Sequence, residues 1–488
     1  MSEARASVTR IAVLGDGQLG SLAAIALKRA APRADVVIIG LPPDPAAWCD
    51  RIGGALPFGN RLHDRLGISE ANIVARASGS HRLITRYIGW GEQTGDGRPP
   101  EGMAAYGAAV DATLKTAFAR GWGGGPRTDA SSAVPGSLGE VLALAGRFCP
   151  PDEEAHSPLA ELDYAMRWNV PAFHTLLVEA AQKLGICHAV AENCEPQLGH
   201  SGLVEALLLP GGERIEADLY VDCSGSGARL WSRMPGARQI DWSNRLPIRQ
   251  IFVPPPNQPI IALEDRVTLL PFGWIWQAAG RDGLQPLFAT AGNLEAAQAA
   301  QVLQTQSLDI VPLAPGRAEE PWRGNVVALG DAAARFEPLG PLNLDLAQRQ
   351  LDLLIELLPG KVIDPLERAE FNRRAGLMAD RACDTLDAHY LSASGRGAFP
   401  GVEPSATLAT ALDQFERRGR LPFWEEAPLL GQEFNSLLVA LGFERGAGAL
   451  GRAADPQQAQ AAAQAFERKA RAALDYAPPY ADWLRSAG

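Results

Sequence analysis

Three glycines at fixed spacing, Gly15, Gly17 and Gly20, are the residues of this 488-residue chain whose types and positions most directly suit chemistry, and that chemistry is the holding of a pyrophosphate. Gly15 permits a tight turn, Gly17 lets backbone N–H groups approach the phosphates, and Gly20 lets a helix pack closely on a strand. Gln18 and Leu19 open that helix, and its N-terminal N–H groups carry the partial positive charge that attracts phosphate. The flanking elements are the ones required. Ile11–Leu14 is an apolar run that predicts a strand, and the segment up to Ala30 carries apolar residues at helical spacing. A second predicted strand, Asp35–Ile39, ends in Gly40-Leu41-Pro42. The carboxylate that usually receives a ribose hydroxyl, about 20 residues past the glycines, is therefore absent from that strand end. Asp44 stands in the loop that follows.

Composition narrows the classes of function. An apolar content of 47% over this length predicts a large core and two closely integrated domains. The net charge of −11, without a long basic run, argues against a nucleic-acid partner. The six cysteines, Cys49, Cys149, Cys187, Cys194, Cys223 and Cys383, form no C-x-x-C pair, so neither a metal site nor a disulfide framework is expected, and they read as reduced, mostly buried thiols. MSEARASVTR at the start carries charge but no apolar core, and no apolar run of about 18 residues follows. The expectation is a soluble cytoplasmic protein without a membrane partner.

Beyond the first β-α-β unit, LHDRLGI at 62–68 predicts a short helix ending at Gly67. Residues 91–160 are rich in Gly, Ser and Pro, with an apolar helix near Gly139–Ala145, and loops of that length serve as lids or binding surfaces. Val170–Leu184 is an amphipathic helix stopped by Gly185. A hairpin is expected from Leu203–Leu209, the turn Pro210-Gly211-Gly212, and Ile215–Val221, and the second arm leads into the small residues Ser224 and Gly225, where backbone can approach a ligand. Residues 246–290 read as several strands, Val326–Leu329 as a buried strand, and a long helix begins near Leu342. Residues 362–488 read as helical, with the Ala/Gln-rich stretch 453–474 as a solvated helix.

Four separated stretches stand in one order: Gly15-x-Gly17-x-x-Gly20; ADLYVDCSGSGARL at 217–230; Gly273-Trp274-Ile275-Trp276-Gln277; and Trp322-x-x-Asn325 running on to Gly330-Asp331. Together with AEFNRRAGLMADRACDTLDAHY at 369–390, they resemble the flavin-dependent tryptophan halogenase family and, more loosely, single-component aromatic hydroxylases that bind FAD. The likeness runs over about residues 10–395. It implies an α/β fold, with a Rossmann-like FAD-binding domain, an inserted β-rich substrate domain and a helical C-terminal region. The expected division is 1–90, 160–230 and 320–360 for FAD, 91–159 and 231–319 for substrate, and 361–488 for the helical region. By this resemblance Asp331, after Gly330, receives the ribityl hydroxyls, and Ser224, Gly225, Pro338, Gly340, Leu342 and Asn343 also line the cofactor. Trp274 and Trp276, two apart on a strand and so on one face, would wall the flavin from the substrate, with Trp90 on the substrate side.

The chain departs from that family where its chemistry is done. The family's catalytic lysine lies eight residues before a tryptophan; counted back from Trp90, this chain has Arg82, in HRLITRYIGW. Arginine stays protonated and cannot serve as an adjustable amine. The family's catalytic glutamate follows a Pro-Leu pair, whereas Pro338-Leu339 is followed here by Gly340. Pro338–Leu344 is instead partly similar to the Pro-x-x-Gly-x-Gly-x-Asn loop of the hydroxylases. These departures favour an FAD-dependent monooxygenase that hydroxylates an indole or phenol through a flavin hydroperoxide, the substrate being a small aromatic molecule or a tryptophan within a polypeptide during quinone-cofactor maturation. His81, Arg82, Asp345 and His389 are the candidate catalytic groups. Reduction of the flavin falls to the chain itself or to a separate flavin reductase. Two alternatives stand beside this reading: a halogenase with displaced catalytic groups, and a non-catalytic or partner-dependent binding protein on the same fold.

Overall fold

The computed structural model describes residues 6–92, 98–106, 137–151, 157–160, 162–446 and 456–487. It forms two compact units: Met1–Gly79 with Trp168–Ile251 and Ile310–Cys383, and Ser80–Arg167 with Phe252–Asp309 and Asp384–Gly488.

The first unit is built on a six-stranded sheet in the order Trp322–Arg323, Val326–Ala328, Leu219–Asp222, Arg10–Leu14, Asp35–Gly40, Cys187–Val190. All neighbours are parallel except the first pair. Parallel strands buried on both faces need continuous apolar sequence, and Ile11–Leu14 and Val326–Ala328 are fully buried. The helix Gln18–Ala30 is buried from Gln18 to Leu27, and it runs beside the helices Val170–Lys183 and Leu342–Glu356.

The expected hairpin is shorter than the sequence suggested. Of the expected second arm, Arg214–Ile215 pairs antiparallel with Val204–Leu208, and the chain then breaks and re-enters the parallel sheet as Leu219–Asp222. Asp218 fixes the break: its carboxylate accepts from the Thr9 N–H at 2.8 Å, the Thr9 hydroxyl at 2.7 Å and the Arg10 N–H at 3.0 Å. The short helix expected near LHDRLGI begins earlier, at Pro57, and ends at Arg65. Proline suits a first helical turn, whose N–H has no partner in any case.

The second unit holds antiparallel strands Gln285–Thr290, Gly273–Ala278 and Glu264–Leu270, extended by Ile84–Ile88, parallel to Glu264–Leu270, and then by Glu101–Ala105. Because Ile84–Ile88 pairs into this sheet, residues 80–90 lie in the second unit, whereas the sequence reading had grouped them with the nucleotide-binding part. Residues 231–251, 310–319 and 361–383 lie in the first unit. The C-terminal part is helical as expected: Ala406–Arg418, Gly431–Ala440, Pro456–Tyr476 and Tyr480–Ala487 follow the long helix Pro365–Tyr390. The helix Pro456–Tyr476 is not solvated all round. Phe466, Ala470 and Ala473 are buried, and it runs beside the helix Leu138–Ala145. Most of the long 91–160 stretch lies outside the described residues. Among the described residues, no helix is long and apolar enough to cross a membrane, and no cluster of side chains is suited to a metal. All six cysteines are free thiols, and Cys49, Cys194, Cys223 and Cys383 are buried.

Candidate functional site

The glycine fingerprint has the geometry its sequence requires. Gly15 adopts φ +96°, and a side chain there would meet the Cys223 carbonyl oxygen at 2.5 Å; one at Gly20 would lie 1.9 Å from the Gly15 oxygen. Gly17 caps the helix Gln18–Ala30 without a side chain to accept its free N–H groups. A carboxylate from elsewhere does so. Asp50 Oδ1 accepts from the Leu19 N–H at 2.9 Å, and a side chain on Gly17 would run into the Asp50 carboxyl at 2.2 Å. Gln18 binds the segment that carries Asp50, donating through Nε2 to the Cys49 oxygen at 2.5 Å and the Ile52 oxygen at 2.9 Å, while its Oε1 accepts from Trp168 Nε1 at 3.1 Å.

Gly40 is small for a reason visible in space. A side chain there would lie 2.4 Å from Asp16 Oδ2, and that carboxylate is 3.2 Å from His188 Nε2. Asp44 turns to the loop after the strand Leu219–Asp222, accepting from the Ser226 hydroxyl at 2.8 Å beside Gly225, which has φ +88°. Ser224 binds within its own turn, its hydroxyl donating to Asp222 Oδ1 at 2.6 Å and accepting from the Arg229 N–H at 2.8 Å.

At the end of the strand Val326–Ala328, Gly330 turns with φ +59° and donates its N–H to Gln350 Oε1 at 3.0 Å. Asp331 follows, 2% exposed, with Oδ2 accepting from the Cys49 N–H at 2.7 Å. Its Oδ1 is buried without a partner in the protein. Burial pushes this carboxyl up to about 7, against the stabilising Cys49 contact. The loop then carries Pro338 and Gly340, the latter at φ +70° with open space where a side chain would stand, and the helix opens at Leu342. Asn343 donates to the Phe336 oxygen at 3.1 Å and leaves Oδ1 buried and unpartnered. Asp345 is buried beside Arg349, whose Nε donates to Oδ2 at 2.7 Å, and burial raises its pKa.

The other candidates lie in the second unit, in two groups. His81 is fully buried, its N–H donating to the Tyr480 hydroxyl at 2.6 Å, with Phe148, Tyr164 and Trp483 around the ring. Next to it on the strand Ser80–Arg82, Arg82 is 2% exposed. Its Nε donates to Asp265 Oδ1 at 2.5 Å, and its Nη1 to the Ser80 hydroxyl at 3.2 Å and the His81 oxygen at 2.8 Å, while Nη2 is buried without a partner. The second group joins Trp90, His389 and Trp274. The ring of His389 is 5.5 Å from that of Trp90 and its Nε2 is 3.3 Å from the Tyr87 hydroxyl, while Trp274 Nε1 donates to the Tyr390 hydroxyl at 3.1 Å. Burial lowers the His389 pKa to about 4, so the ring is neutral near pH 7. Trp274 and Trp276, at 0% and 3% exposure, face the same way as core side chains.

The residues that sequence reasoning missed are the partners. Asp50, Cys49 and Gln350 surround the fingerprint and Asp331, and Asp265 and Tyr480 fix Arg82 and His81. Asp265 and Tyr480 lie 183 and 399 positions from their partners, so no local spacing could have revealed them.

A largely parallel sheet with this fingerprint after its strand Arg10–Leu14, and a buried Gly-Asp pair closing the strand two places away, defines the class of α/β proteins with a dinucleotide-binding fold. The chain matches the tryptophan halogenase family over residues 10–449, and it belongs to that family. It is 24% identical over 422 residues to the tryptophan 7-halogenase RebH of Lentzea aerocolonigenes, covering 78% of this chain and 76% of that protein. The tryptophan 7-halogenase KtzQ of Kutzneria sp. (strain 744) is similar to the same degree, 24% over 426 residues with 78% and 76% covered. Among solved structures, the flavin-dependent halogenase Xcc4156 from Xanthomonas campestris shares the fold at a TM-score of 0.86 and 22% identity, with 99% of this chain and 98% of that one covered. BrvH, a flavin-dependent halogenase from Brevundimonas sp. BAL3, does so at 0.83 and 22%, with 98% and 99% covered. Homologues in this family use FAD, the cofactor that the sequence resemblance implied.

Proposed function

We propose that this chain is a flavin-dependent oxidoreductase that holds FAD in its first unit and oxidises an electron-rich aromatic ring of the indole type, the flavin being reduced by a separate reductase. The observation that carries the cofactor is Asp331: a buried carboxylate with one oxygen held by Cys49 and the other unpartnered is a ready acceptor for a hydroxyl donor. Gly15, Gly20 and Gly330 let the fingerprint turn and the strand end before Asp331 pack closely, and Gly340 leaves open space. Reduced FAD supplies the chemistry that makes O₂ an oxidant. The protein's own residues then have to position the ring and keep water from the reacting atoms.

Family membership supports halogen transfer as the first reading: halide would be oxidised, O₂ reduced to water with the electrons of reduced flavin, and the ring would exchange a proton for the halogen. Arg82 would serve here as a fixed cation, since its Nε is committed to Asp265 and its Nη2 alone is free to meet an anion. Hydroxylation is the second reading, favoured by Arg82 and Gly340 at the two positions that the resemblance assigns to lysine and glutamate. One experiment separates the two. The protein is supplied with FAD, a flavin reductase, NADH, O₂ and tryptophan, indole or phenol, with and without chloride or bromide, and products are read by mass spectrometry. Halogenated product formed only with halide supports the first reading, and oxygenated product formed regardless of halide supports the second. Oxidation of none of these rings by flavin-loaded protein would overturn both.

A further inference from the structure

The fingerprint helix already has an anion at its N-terminus, and the protein supplies it. Asp50 sits where the second glycine is meant to admit phosphate: its carboxylate accepts the Leu19 N–H at 2.9 Å and fills the space beside Gly17. This placement is held from several sides. Cys49, one residue before, is bound through its N–H to Asp331 and through its oxygen to Gln18, and Ile52, two residues after, is bound to the same Gln18 amide. Trp168 in turn orients Gln18. Asp50 is thus fixed by its backbone and is not a surface side chain that happens to fold inward.

From this geometry, and resting on the flavin reading above, we infer that Asp50 is a resident competitor for the diphosphate of FAD, and that the chain's affinity for the cofactor is set by displacing it. A carboxylate and a diphosphate cannot share the same N–H groups, and their like charges repel at such short range. Asp16 and Asp44 add negative charge around Asp50, so the site discriminates against a diphosphate more strongly than a bare fingerprint would. The segment Trp48–Arg51 must therefore shift when the diphosphate enters. Cys49 lies in that segment and binds Asp331, so entry of the diphosphate is coupled to the acceptor proposed for the ribityl chain.

The test is a titration of wild type, Asp50→Asn and Asp50→Ser with FAD and, separately, with riboflavin, which lacks phosphate. Asparagine and serine both keep an oxygen to cap the helix, and a folded far-UV spectrum and unchanged melting temperature qualify each variant. The expected result is FAD binding tightened about tenfold or more in both variants, with riboflavin binding unchanged, since loss of one close like charge is of that order. Equal or weaker FAD binding by folded variants, with wild type binding FAD, overturns the inference and leaves the flavin reading intact. Equal tightening for FAD and riboflavin also overturns it, because the effect would then not lie at the diphosphate. Failure of wild type and both folded variants to bind FAD overturns the flavin reading itself.

Discussion

Removing Asp265 should cost the second unit more than any surface ion pair could. The side chains of Arg82 and Asp265 are 2% and 7% exposed, and their contact is a 2.5 Å charge-assisted hydrogen bond between Nε and Oδ1. Asp265→Ala leaves the guanidinium buried without its counter-ion, and a broken buried pair of this kind costs about 3–5 kcal/mol. Nη1 keeps the Ser80 hydroxyl and the His81 oxygen, which places the expected loss near the lower end, about 3 kcal/mol. The Ala279 N–H, 3.3 Å from Asp265 Oδ1, loses only a long contact. The assay is urea unfolding followed by tryptophan fluorescence, on Asp265→Ala and on the double variant Arg82→Met, Asp265→Leu. The double variant removes both charges while filling similar volume, so it should recover most of the loss. A loss below about 1 kcal/mol in the single variant, or a double variant as unstable as the single, would refute the claim that an uncompensated buried charge is the cause.

Three further outcomes follow from the same contacts. Asp331→Ala should weaken FAD binding by about 1–3 kcal/mol through loss of a buried acceptor, and an unchanged dissociation constant in a fluorescence titration would remove Asp331 from the ribityl contact. Burial raises the Asp331 carboxyl from the ordinary 3.8 to about 7, with Asp50 and Asp44 pushing the same way and Cys49 opposing. The folded state then binds more protons than the unfolded one across that window, so this group's contribution to stability is full at low pH and is lost as pH rises through about 7. Asp331→Asn should accordingly gain stability over wild type as pH rises from about 4 to 7 in matched thermal melts, and a pH-independent difference would contradict the assignment. Tyr480→Phe leaves the buried His81 N–H without the hydroxyl that accepts it at 2.6 Å, and should cost about 1–3 kcal/mol in urea unfolding, with a smaller effect showing that the N–H finds another acceptor.

The parts of the fold that could be read in advance are those fixed by local pattern. Ile11–Leu14 followed by the spaced glycines specifies strand, turn and helix through sterics alone, and the structure has all three. Val326–Ala328 and the helix from Leu342 were legible for the same reason, an apolar run and an apolar periodicity. The hairpin after Leu209 was read too long because its end is set by Asp218 binding Thr9 and Arg10, more than 200 positions away in the chain. Burial was not legible locally either: His81 and Arg82 lie on a buried strand where Tyr480 accepts the His81 N–H and Asp265 the Arg82 Nε–H, both from far along the chain. The Ala/Gln-rich helix reads as solvated because its packing, among the described residues, rests on Phe466, Ala470 and Ala473 among many small ones.

At Gly40 and Arg82, two of the positions where the sequence departs from the resemblance, the structure shows a neighbour that makes sense of the residue; at Gly340 it shows open space. Gly40 lacks a carboxylate, and Asp16 reaches into the space a side chain there would take. Position 82 is arginine, and the planar fork can bind Asp265, Ser80 and the His81 oxygen at once, which a lysine ammonium on a flexible stem would do poorly. Lysine introduced at 82 alone would therefore give a cation drawn toward Asp265, not a free amine, and an exchange at both positions would be needed to test lysine-dependent chemistry in this chain. Asp50 is the counterpart in the first unit, an acid placed at the helix end where a cofactor's own negative charge would go. Asp50 and the Nε of Arg82 are thus engaged by the protein itself, whereas Asp331 Oδ1 and Arg82 Nη2 are buried without a protein partner.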